Sequence, residues 1–327
     1  MTQSPQIAVV IPTYRGAGLT ITCLTSLRDA VDRVDGEVEV VVVDDCSHDD
    51  SAARIRAAHG WVRVEERTAN GGYSAAVNSG LRATAAPWVM TLNNDTTVDP
   101  GLLVELLAVA RTSTPDVGAL AAQQRFSDRP DVIYSAGITL DRIGVNADRL
   151  IGQPLAASET HPVEVFGACG GAAVYRRGLI DDIGPLDETF RFGLEDADYA
   201  WRARMRGWRC LYVPKAVVLH DVGGTVAYGS ELRFLQAGRN RVRLVVKNAD
   251  RRMLLRYGAL MVVWDIAYVL VAALRHRTLA PVRGRWQSLR SWRSIRRSGD
   301  RDRRHVELAP FMGFRAALAR QSNLIRS

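Results

Sequence analysis

The sequence predicts an α/β protein built on a mostly parallel sheet with helices on both faces. Short valine and isoleucine runs without polar alternation lie at residues 7–11 and 38–43, as in strands that are covered on both sides. These runs alternate with longer amphipathic stretches, and such strand–helix repetition is typical of a doubly wound sheet. With 327 residues, 47% of them hydrophobic and 24% charged, the chain is long enough to bury this core.

The first third of the chain supplies the remaining elements in order. Two further strands are predicted over residues 62–65 and 88–92. Helices are predicted between the strands, over residues 19–30, 51–59, 74–85 and 102–113. Ligands of such sheets bind beyond the carboxyl ends of the strands, so the residues that follow each strand are candidates for a site.

Polar clusters follow three of the predicted strands. They are Pro12-Thr13-Tyr14-Arg15, residues 44–49 (DDCSHD) and Asn93-Asn94-Asp95. One such cluster is often only a helix cap, but three on one rim of a sheet indicate a ligand site. The sequence has neither a dinucleotide-binding glycine motif nor a phosphate-binding loop after the first strand. A metal or basic side chains must therefore neutralise any phosphate that binds there.

The second half of the chain adds a glycine pair and an acidic turn. Gly170-Gly171 permits close approach of backbone to a ligand, and the segment 192–198 (FGLEDAD) opens a helix predicted to run to about Arg206. One or two acidic residues in a first helical turn suit the helix dipole. Three carboxylates within four residues, at positions 195, 196 and 198, exceed what a cap requires.

Fewer elements are predicted elsewhere in this half. Residues 126–162 are rich in Asp, Gly and Pro and give few clear elements, whereas strands are predicted over residues 208–213 and up to His220. A helical pattern continues over residues 226–249, and residues 253–274 are about 22 mostly apolar residues, long enough to span a bilayer. Asp265 near the centre of that stretch disfavours insertion, so we expect a helix in the membrane interface or packed on the domain.

Together these motifs resemble glycosyltransferase family 2, and most of all its bacterial rhamnosyltransferase-like branch. The resemblance covers roughly residues 5–245 and includes Asn70-x-Gly72 and Asn78-x-Gly80, in the expected order and spacing. It implies the GT-A fold, a Rossmann-like nucleotide-diphospho-sugar transferase fold, as the catalytic domain over residues 1–225. A helical, basic extension follows over residues 226–327. The implied activity is metal-dependent, inverting hexosyl transfer.

The resemblance also assigns the donor side of the site. Tyr14 corresponds to the residue that packs against the nucleotide base, and Asp45 to the carboxylate that reads the N–H of the pyrimidine. Asn93-Asn94-Asp95 stands at the DXD motif, where only the last position is a carboxylate here. The implied donor-binding residues are Pro12, Thr13, Tyr14, Arg15, Asp45, Asn70, Gly72, Asn78, Asn93, Asn94 and Asp95.

A divalent metal and a pair of carboxylates complete the implied chemistry. Asp95 and His220, which is followed by Gly223-Gly224-Thr225, correspond to ligands of Mn²⁺ or Mg²⁺, and an imidazole ligand favours manganese. Asp196 corresponds to the general base that takes the proton of the acceptor hydroxyl, supported by Glu195. The implied acceptor-binding residues are Gly170, Gly171 and Asp198.

Charge and cysteine content bear on location and partners. Of the net charge of +8, residues 275–327 carry +11, from 14 arginines, no lysine and three acidic residues, so the rest of the chain is slightly acidic. With the interfacial tryptophans Trp286 and Trp292, this segment is predicted to bind an anionic membrane surface rather than to be a solvated tail. Nucleic-acid binding is not expected. Four dispersed cysteines and no signal peptide predict a cytoplasmic protein, peripheral at the inner face of the membrane.

Several alternatives remain open at this point. The expected donor is dTDP-L-rhamnose and the expected acceptor a polyprenyl-diphosphate-linked saccharide or cell-surface glycan, but UDP-galactofuranose, UDP-GlcNAc and UDP-glucose are other donor candidates. A nucleotidyltransferase would need a glycine-rich basic signature at the first strand, which PTYRGAG does not supply. A catalytically inactive scaffold or binding subunit is another alternative. It would have no use for the joint presence of Asp95, Glu195, Asp196 and His220, which disfavours it. A homodimer is also open.

Overall fold

The computed structural model describes residues 5–222, 229–299, 305–311 and 313. Twelve strands lie within these residues: β1 Ile7–Thr13, β2 Val38–Asp44, β3 Arg63–Glu66, β4 Trp88–Leu92, β5 Thr96–Val98, β6 Val117–Phe126, β7 Ile133–Ser135, β8 Ile138–Leu140, β9 Asn146–Asp148, β10 Val163–Val165, β11 Ala172–Arg176 and β12 Arg209–His220. The helices are α1 Ala17–Asp32, α2 Ser51–Ala58, α3 Tyr73–Ala83, α4 Leu102–Thr112, α5 Arg177–Ile183, α6 Glu195–Met205, α7 Glu231–Asn248, α8 Arg251–His276, α9 Ala280–Arg290 and α10 Trp292–Ser298.

Ten of the strands form one mixed sheet. Its main path is β10-β12-β6-β11-β4-β1-β2-β3, with β5 on β12 and β7 on β6. Strands β1, β2, β3 and β4 pair in parallel, as do β6 and β12, and β11 lies antiparallel between β4 and β6. Because β11 reverses direction relative to both neighbours, the carboxyl ends of β1, β2, β4 and β12 meet at one edge.

Successive residues of β1 explain why helices cover both faces. Val9 and Ile11 join the apolar cluster that includes Leu24 of α1 and Leu103 of α4, whereas Val10 joins the cluster on the opposite face with Val77 of α3. Side chains alternate between the two faces of a strand, so the continuous valine and isoleucine runs feed both cores. Each fully buried aliphatic side chain contributes roughly 1.5–3 kcal/mol. The predicted α/β class is confirmed.

Some elements differ from those predicted. The two strands expected before and at His220 are one long strand, β12, whose pairing with β6 shifts register between Val213 and Val217. A local irregularity lets the strand continue where the hydrophobic pattern breaks at residues 214–215. Residues 126–162, for which few elements were expected, contain the short strands β7, β8 and β9.

The arginine-rich segment forms helices that pack on α7. Gly238 of α7 and Gly284 of α9 lie where the two helices touch. A β-carbon at Gly238 would collide with the backbone of Pro281, and one at Gly284 with the backbone of Leu235. Two glycines thus allow this close helix pair. Residues 275–299 are therefore folded against the domain and are not a solvated tail, whereas the proposed domain boundary at residues 225/226 lies outside the described residues.

Helix α8 presents an apolar surface outward. Within the described residues it is the one helix that is long and apolar enough to cross a membrane, by length and composition only, with a mean hydropathy of 1.9. Only 17% of its most apolar window is buried, and Leu255 and Leu274 are 85% and 79% exposed. Met253, Met261 and Trp264 are among its residues that pack into the core. One helix of this kind is weak support for insertion.

Candidate active site

A cleft of about 660 Å³ lies at the edge of the sheet where these carboxyl ends meet. Its strand-end half is formed by Pro12, Thr13, Tyr14, Asp45, Asn93, Asn94, Asp95 and His220. Its helical half is formed by Leu232, Arg233, Gln236, Arg241, Trp264, Tyr268 and Arg285. The loop residues Asn70, Gly72, Gly170 and Gly171 and the acidic turn with Glu195 and Asp196 line the cleft as well. Most of the predicted site residues therefore line this one cleft.

Three predicted site residues do not line this cleft. Asn78 is buried in α3, where its side chain donates to the Leu186 carbonyl at 2.9 Å and accepts from the Leu186 amide at 3.0 Å. It lies almost two turns beyond Gly72, too far along the helix to reach the rim. The guanidinium of Arg15 instead donates to the Ser47 carbonyl and stacks on Tyr14. The expected ligand contacts of Asn78 and Arg15 are therefore not supported.

The third of these residues, Asp198, belongs to a buried ion network. A step of two residues along an α-helix changes the direction of the side chain by about 200°. Asp198 therefore faces away from the side of α6 that carries Asp196. Its carboxylate accepts from Arg202 at 2.9 Å and from Lys247 at 2.9 Å, and Lys247 also donates to Asp187 at 2.7 Å. Although burial alone would raise them, Lys247 lowers the pKa values of both acids, that of Asp187 to about 2. Asp198 thus secures α7 to α6 instead of contacting an acceptor.

Asp45 is held by the loop that follows β3. One carboxylate oxygen accepts from the Gly71 amide at 3.0 Å and from Arg67 Nε at 2.8 Å, and the other accepts from the Gly72 amide at 2.7 Å. Gly72 has φ +83°, a conformation that favours glycine. Sequence reasoning missed Arg67, although its position just after an edge strand facing the polar cluster of β2 was a usable signal.

Two threonines hold Asn94 in the strand-end half. Asn94 Nδ2 donates to the hydroxyls of Thr13 and Thr20, each at 3.2 Å. Asn94 is buried, while Tyr14 at the mouth of the cleft is 41% exposed. The Tyr14 ring is thus available to a planar ligand, and Asn94 is already oriented before any ligand binds.

Asp95 and His220 meet at the centre of the strand-end half. His220 Nε2 lies 3.2 Å from Asp95 Oδ1 and 3.4 Å from Asn93 Nδ2. His220 Nδ1 is buried and has no hydrogen-bond partner among the described residues. The part of the chain that the structure describes contains no group of three or more His, Cys, Asp or Glu side chains that could hold a metal. One carboxylate and one imidazole nevertheless suit Mg²⁺ or Mn²⁺, which take their other ligands from substrate phosphates and water.

The acidic turn lies next to the glycine pair. Asp196 Oδ2 accepts from the Gly170 amide at 3.2 Å and Oδ1 from the Ala197 amide at 2.8 Å, while the Asn93 amide donates to the Gly171 carbonyl at 2.9 Å. The glycine pair therefore connects the end of β4 to the start of α6. Burial raises the pKa of Asp196, and burial together with the Asp196 charge raises the pKa of Glu195 to about 8. Such a pair retains a proton near neutral pH.

Two residues that we did not assign to the site fix this turn. Asn240 Nδ2 of α7 lies within hydrogen-bonding distance of the carbonyl oxygens of Phe190, Phe192 and Gly193, at 2.6–2.9 Å. Tyr73 donates to the Gly170 carbonyl at 2.7 Å. The residue before α6, Leu194, has φ +69°, so the backbone here needs support from its surroundings. The regular helical pattern around position 240 gave no sign of this contact.

The sheet order, the strand-end cleft and the carboxylates at the start of α6 define a nucleotide-sugar transferase fold of the GT-A type. Two solved structures are similar in fold. A mannosyltransferase from Pyrobaculum calidifontis, solved with GDP-Man and Mn²⁺, matches with a TM-score of 0.54 and 17% identity over 91% of this chain and 88% of that one. S. aureus TarS 1–349 matches with a TM-score of 0.51 and 17% identity, covering 90% of each chain.

The chain belongs to glycosyl transferase family 2, whose family model matches residues 8–184. A pre-mycofactocin glycosyltransferase of Mycobacterium tuberculosis is 30% identical over 66% of this chain and 42% of that protein, so the chain spans less than half of that relative. An N-acetylglucosaminyl-diphospho-decaprenol L-rhamnosyltransferase of the same organism is 28% identical over 65% of this chain and 75% of that protein. The family that the motifs implied is therefore confirmed.

Proposed function

We propose that this enzyme transfers a sugar, with inversion, from a nucleotide-diphospho-sugar to a lipid-linked or cell-surface glycan. The observation that carries the proposal is that one cleft holds the Asp95–His220 pair and the half-buried Asp196 carboxylate, joined through Gly170 and Gly171. The Asp95–His220 pair can hold a metal that binds the diphosphate, and the Asp196 carboxylate can accept the proton of an attacking hydroxyl.

The strand-end half would bind the donor. Tyr14 is exposed for stacking on a base, and Pro12 and Thr13 line the pocket beside it. Asp95 and His220 would hold Mn²⁺ or Mg²⁺, which neutralises the charge that develops on the departing diphosphate. The protein's own contribution is to fix these two side chains at the carboxyl ends of β4 and β12, where the sheet sets their spacing.

Asp196 would act as the base toward the acceptor. An attacking hydroxyl must place its proton within about 3 Å of a carboxylate oxygen. Asp196 has a fixed orientation because the amides of Gly170 and Ala197 each bind one of its oxygens. In the ionised state it can take the proton while the oxygen attacks the anomeric carbon on the face opposite the diphosphate, which inverts that centre.

The rhamnosyl donor is the first candidate among the nucleotide sugars. Support comes from the Asn93-Asn94-Asp95 variant at the end of β4 and from the similarity to a relative named as an L-rhamnosyltransferase. UDP-galactofuranose, UDP-GlcNAc and UDP-glucose are the alternative donors. That relative's printed name also supports a polyprenyl-diphosphate-linked saccharide as acceptor.

Membrane association at the cytoplasmic face is part of the same proposal. The outward face of α8 exposes Val262, Val263, Ile266 and Leu270, and Trp286 and Trp292 of the following helices are about half exposed. Arginines are interspersed along α9 and α10. Apolar side chains and aromatic rings beside arginines suit the interface of a bilayer with anionic lipids.

A transfer assay tests the activity. The purified full chain is incubated with dTDP-L-rhamnose or a UDP-sugar, with Mn²⁺ or EDTA, and with farnesyl-diphosphate-linked N-acetylglucosamine. We expect a product with one donor that requires the metal, and NMR of its anomeric carbon should show inversion. No product with any donor and acceptor, in the presence of metal, would favour a silent scaffold subunit.

A sedimentation assay with vesicles tests the membrane contact separately. The protein should sediment with vesicles that contain phosphatidylglycerol and much less with phosphatidylcholine alone, and salt should weaken the binding. The double variant Val263→Ser/Ile266→Ser should bind less, whereas the exposed Val104→Ser of α4 serves as a matched control. Equal binding by all three proteins would contradict this part of the proposal.

A further inference from the structure

A second concavity, at the junction of α9 and α10, shares no lining residue with the cleft. It has a volume of about 490 Å³ and is lined by Arg290, Ser291, Trp292, Arg293, Ser294 and Arg297. None of these residues lines the cleft that contains Asp196. Sugar transfer in that cleft therefore does not account for this second concavity.

The arginines of α9 and α10 fall into two groups. Arg283 and Arg285 pair with acids of other helices at 2.9 and 2.7 Å, and Arg296 donates to two backbone carbonyls of the α7–α8 region at 3.0 and 2.7 Å. The other three, at positions 290, 293 and 297, line the concavity, and within the described part of the chain they have no carboxylate partner. Neither α9 nor α10 contains an acidic residue. The three arginines that the protein itself does not use thus share one concavity.

The packing of α10 fixes where these guanidiniums point. Ile295 is buried and Arg296 is bonded to backbone on the side of α10 that faces α7. Arg293 and Arg297 are four residues apart, so they lie together on another side of the helix, and both are exposed. Like charges this close repel each other, and a bound anion would remove that repulsion. The arrangement therefore suits an anionic ligand.

Two exposed tryptophans border the concavity and indicate what carries the anion. The guanidinium carbon of Arg290 lies 5.2 Å from the centre of the Trp286 ring, and that of Arg293 lies 5.5 Å from the centre of the Trp292 ring. Both rings and the side chain of Leu289 are about half exposed. A soluble anion would leave these apolar groups in water, whereas a lipid in a bilayer provides a phosphate for the arginines and an interface for the rings. The surroundings therefore favour a lipid head group.

We propose that Arg290, Arg293 and Arg297 form a binding site for the head group of a membrane lipid, and that this site selects a phosphomonoester over a phosphodiester. A phosphomonoester carries about 1.5–2 negative charges at pH 7 and has three free oxygens, whereas a diester carries a single charge. Three guanidiniums, each with paired N–H donors, match the monoester better. The inference rests on the proposed membrane association, which by itself requires only a negatively charged surface.

Sedimentation of the full chain with two kinds of vesicle tests this selectivity. Both consist mainly of phosphatidylcholine, one with phosphatidic acid and the other with phosphatidylglycerol, in amounts that give the same zeta potential. A negative surface alone would bind the protein equally in both cases, since that attraction depends on the surface potential. With the proposed site, the affinity for the phosphatidic acid vesicles should be higher by about fivefold or more, as one further charge-assisted contact would give. Equal affinity for the two vesicles would overturn the proposal.

Single substitutions locate the selectivity. Arg293→Gln and Arg297→Gln should each bring the ratio of the two affinities close to one. Arg275→Gln is the matched control, because it removes the same charge from an exposed position of the basic segment that does not line the concavity. It should weaken binding to both vesicles equally and keep the ratio of wild type. All three side chains are exposed, and melting curves check that the variants are folded. A ratio that stays unchanged in Arg293→Gln and Arg297→Gln, or that falls as far in Arg275→Gln, would refute the site.

Soluble competitors separate the lipid from other sources of phosphate. Inorganic phosphate or oligothymidylate is added at constant ionic strength to protein bound to the phosphatidic acid vesicles, at the same concentration as the phosphatidic acid, and neither should release it. Release by inorganic phosphate would assign the site to a soluble anion, and release by oligothymidylate to a nucleic acid, and either result would overturn the lipid head group. Binding to phosphatidylglycerol vesicles without any preference for phosphatidic acid refutes the site and leaves the membrane association intact. Failure to bind either vesicle refutes both.

Discussion

The two halves of the cleft are held in different ways. In the strand-end half, Asp45 is oriented by two backbone amides and Asn94 by two threonines, all on or next to the sheet. The helical half depends on long side chains of α7, α8 and α9, and α7 is joined to α6 by the buried Lys247. The first half is therefore set once the sheet forms, and the second only when the helices dock.

The acidic turn lies between these halves and receives support from both. Gly170, next to the end of β4, donates to Asp196, while Asn240 of α7 holds the preceding loop. Chemistry at this turn therefore requires the sheet and the helical extension together. Variants in the two halves should separate donor binding from turnover.

Asp196→Asn should have the largest effect. An amide of the same shape cannot accept the proton of the acceptor hydroxyl, and losing a general base costs roughly 10²–10⁴ in rate. We expect kcat to fall by that factor, while the affinity for the nucleotide sugar changes less than about twofold. Retained turnover would refute the role of Asp196. Asp128→Asn, an exposed carboxylate outside the cleft, is the control.

Asp95→Ala should weaken donor binding in the strand-end half of the cleft. Removing a metal ligand costs several kcal/mol, so Mn²⁺-dependent affinity for the nucleotide sugar should fall roughly a hundredfold. Calorimetric titration of the donor with and without Mn²⁺ measures this. Unchanged metal dependence of donor binding would remove Asp95 from the metal site.

Asn240→Ala should have an intermediate effect, mainly on turnover. The variant removes the side-chain donor of the Phe192 and Gly193 carbonyl oxygens, whereas the Phe190 carbonyl keeps its hydrogen bond from Arg239, and the loss costs about 1–3 kcal/mol of unfolding free energy. The loosened turn should lower kcat roughly tenfold with little change in donor affinity. Rate, donor affinity and urea unfolding are measured on one preparation. An equal loss of donor affinity would show that α7 supports both halves.

Glu195→Gln should change the pH profile more than the maximal rate. Asp196 must be ionised to act, and burial raises its pKa, so activity should fall as pH decreases. Glu195 keeps its proton until about pH 8 and carries no charge while Asp196 ionises, so Glu195→Gln should leave the acidic limb of kcat/KM in place and remove any change of kcat/KM that accompanies ionisation of Glu195 near pH 8. An acidic limb that moves down by a pH unit or more would contradict this order of ionisation.

The Glu195→Gln variant should also change how the free energy of unfolding depends on pH. The pKa of Glu195 is above its ordinary value of 4.5, at about 8, so ionising this group destabilises the folded state. Its favourable contribution is complete below pH 4.5 and is lost as pH rises through about 8. Wild type should therefore lose free energy of unfolding across that range, and Glu195→Gln should lose less, as urea unfolding at several pH values would show.

The sequence predicted the sheet, its edge and most of the strand-end half, because hydrophobic runs and the polar clusters after them are local patterns. Asn78 and Asp198, which were predicted to bind substrate, do not line the cleft, because motif spacing does not show which side of a helix faces it. Arg233, Gln236 and Arg285 were missed for a different reason. They meet only through the packing of α7 against α9, with Gly238 and Gly284 at the contact, and no local pattern reports that packing.

Thermal unfolding with nucleotide sugars tests the central claim, that the strand-end half binds a metal-complexed donor independently of the acidic turn. Wild type and Asp196→Asn are melted with dTDP-L-rhamnose and each UDP-sugar, with Mn²⁺ or EDTA. A ligand that binds only the folded state raises Tm. We predict a Tm increase with one donor, only in the presence of Mn²⁺, and of equal size in both proteins. No increase with any donor and Mn²⁺, or an increase that Asp196→Asn abolishes, would contradict the account.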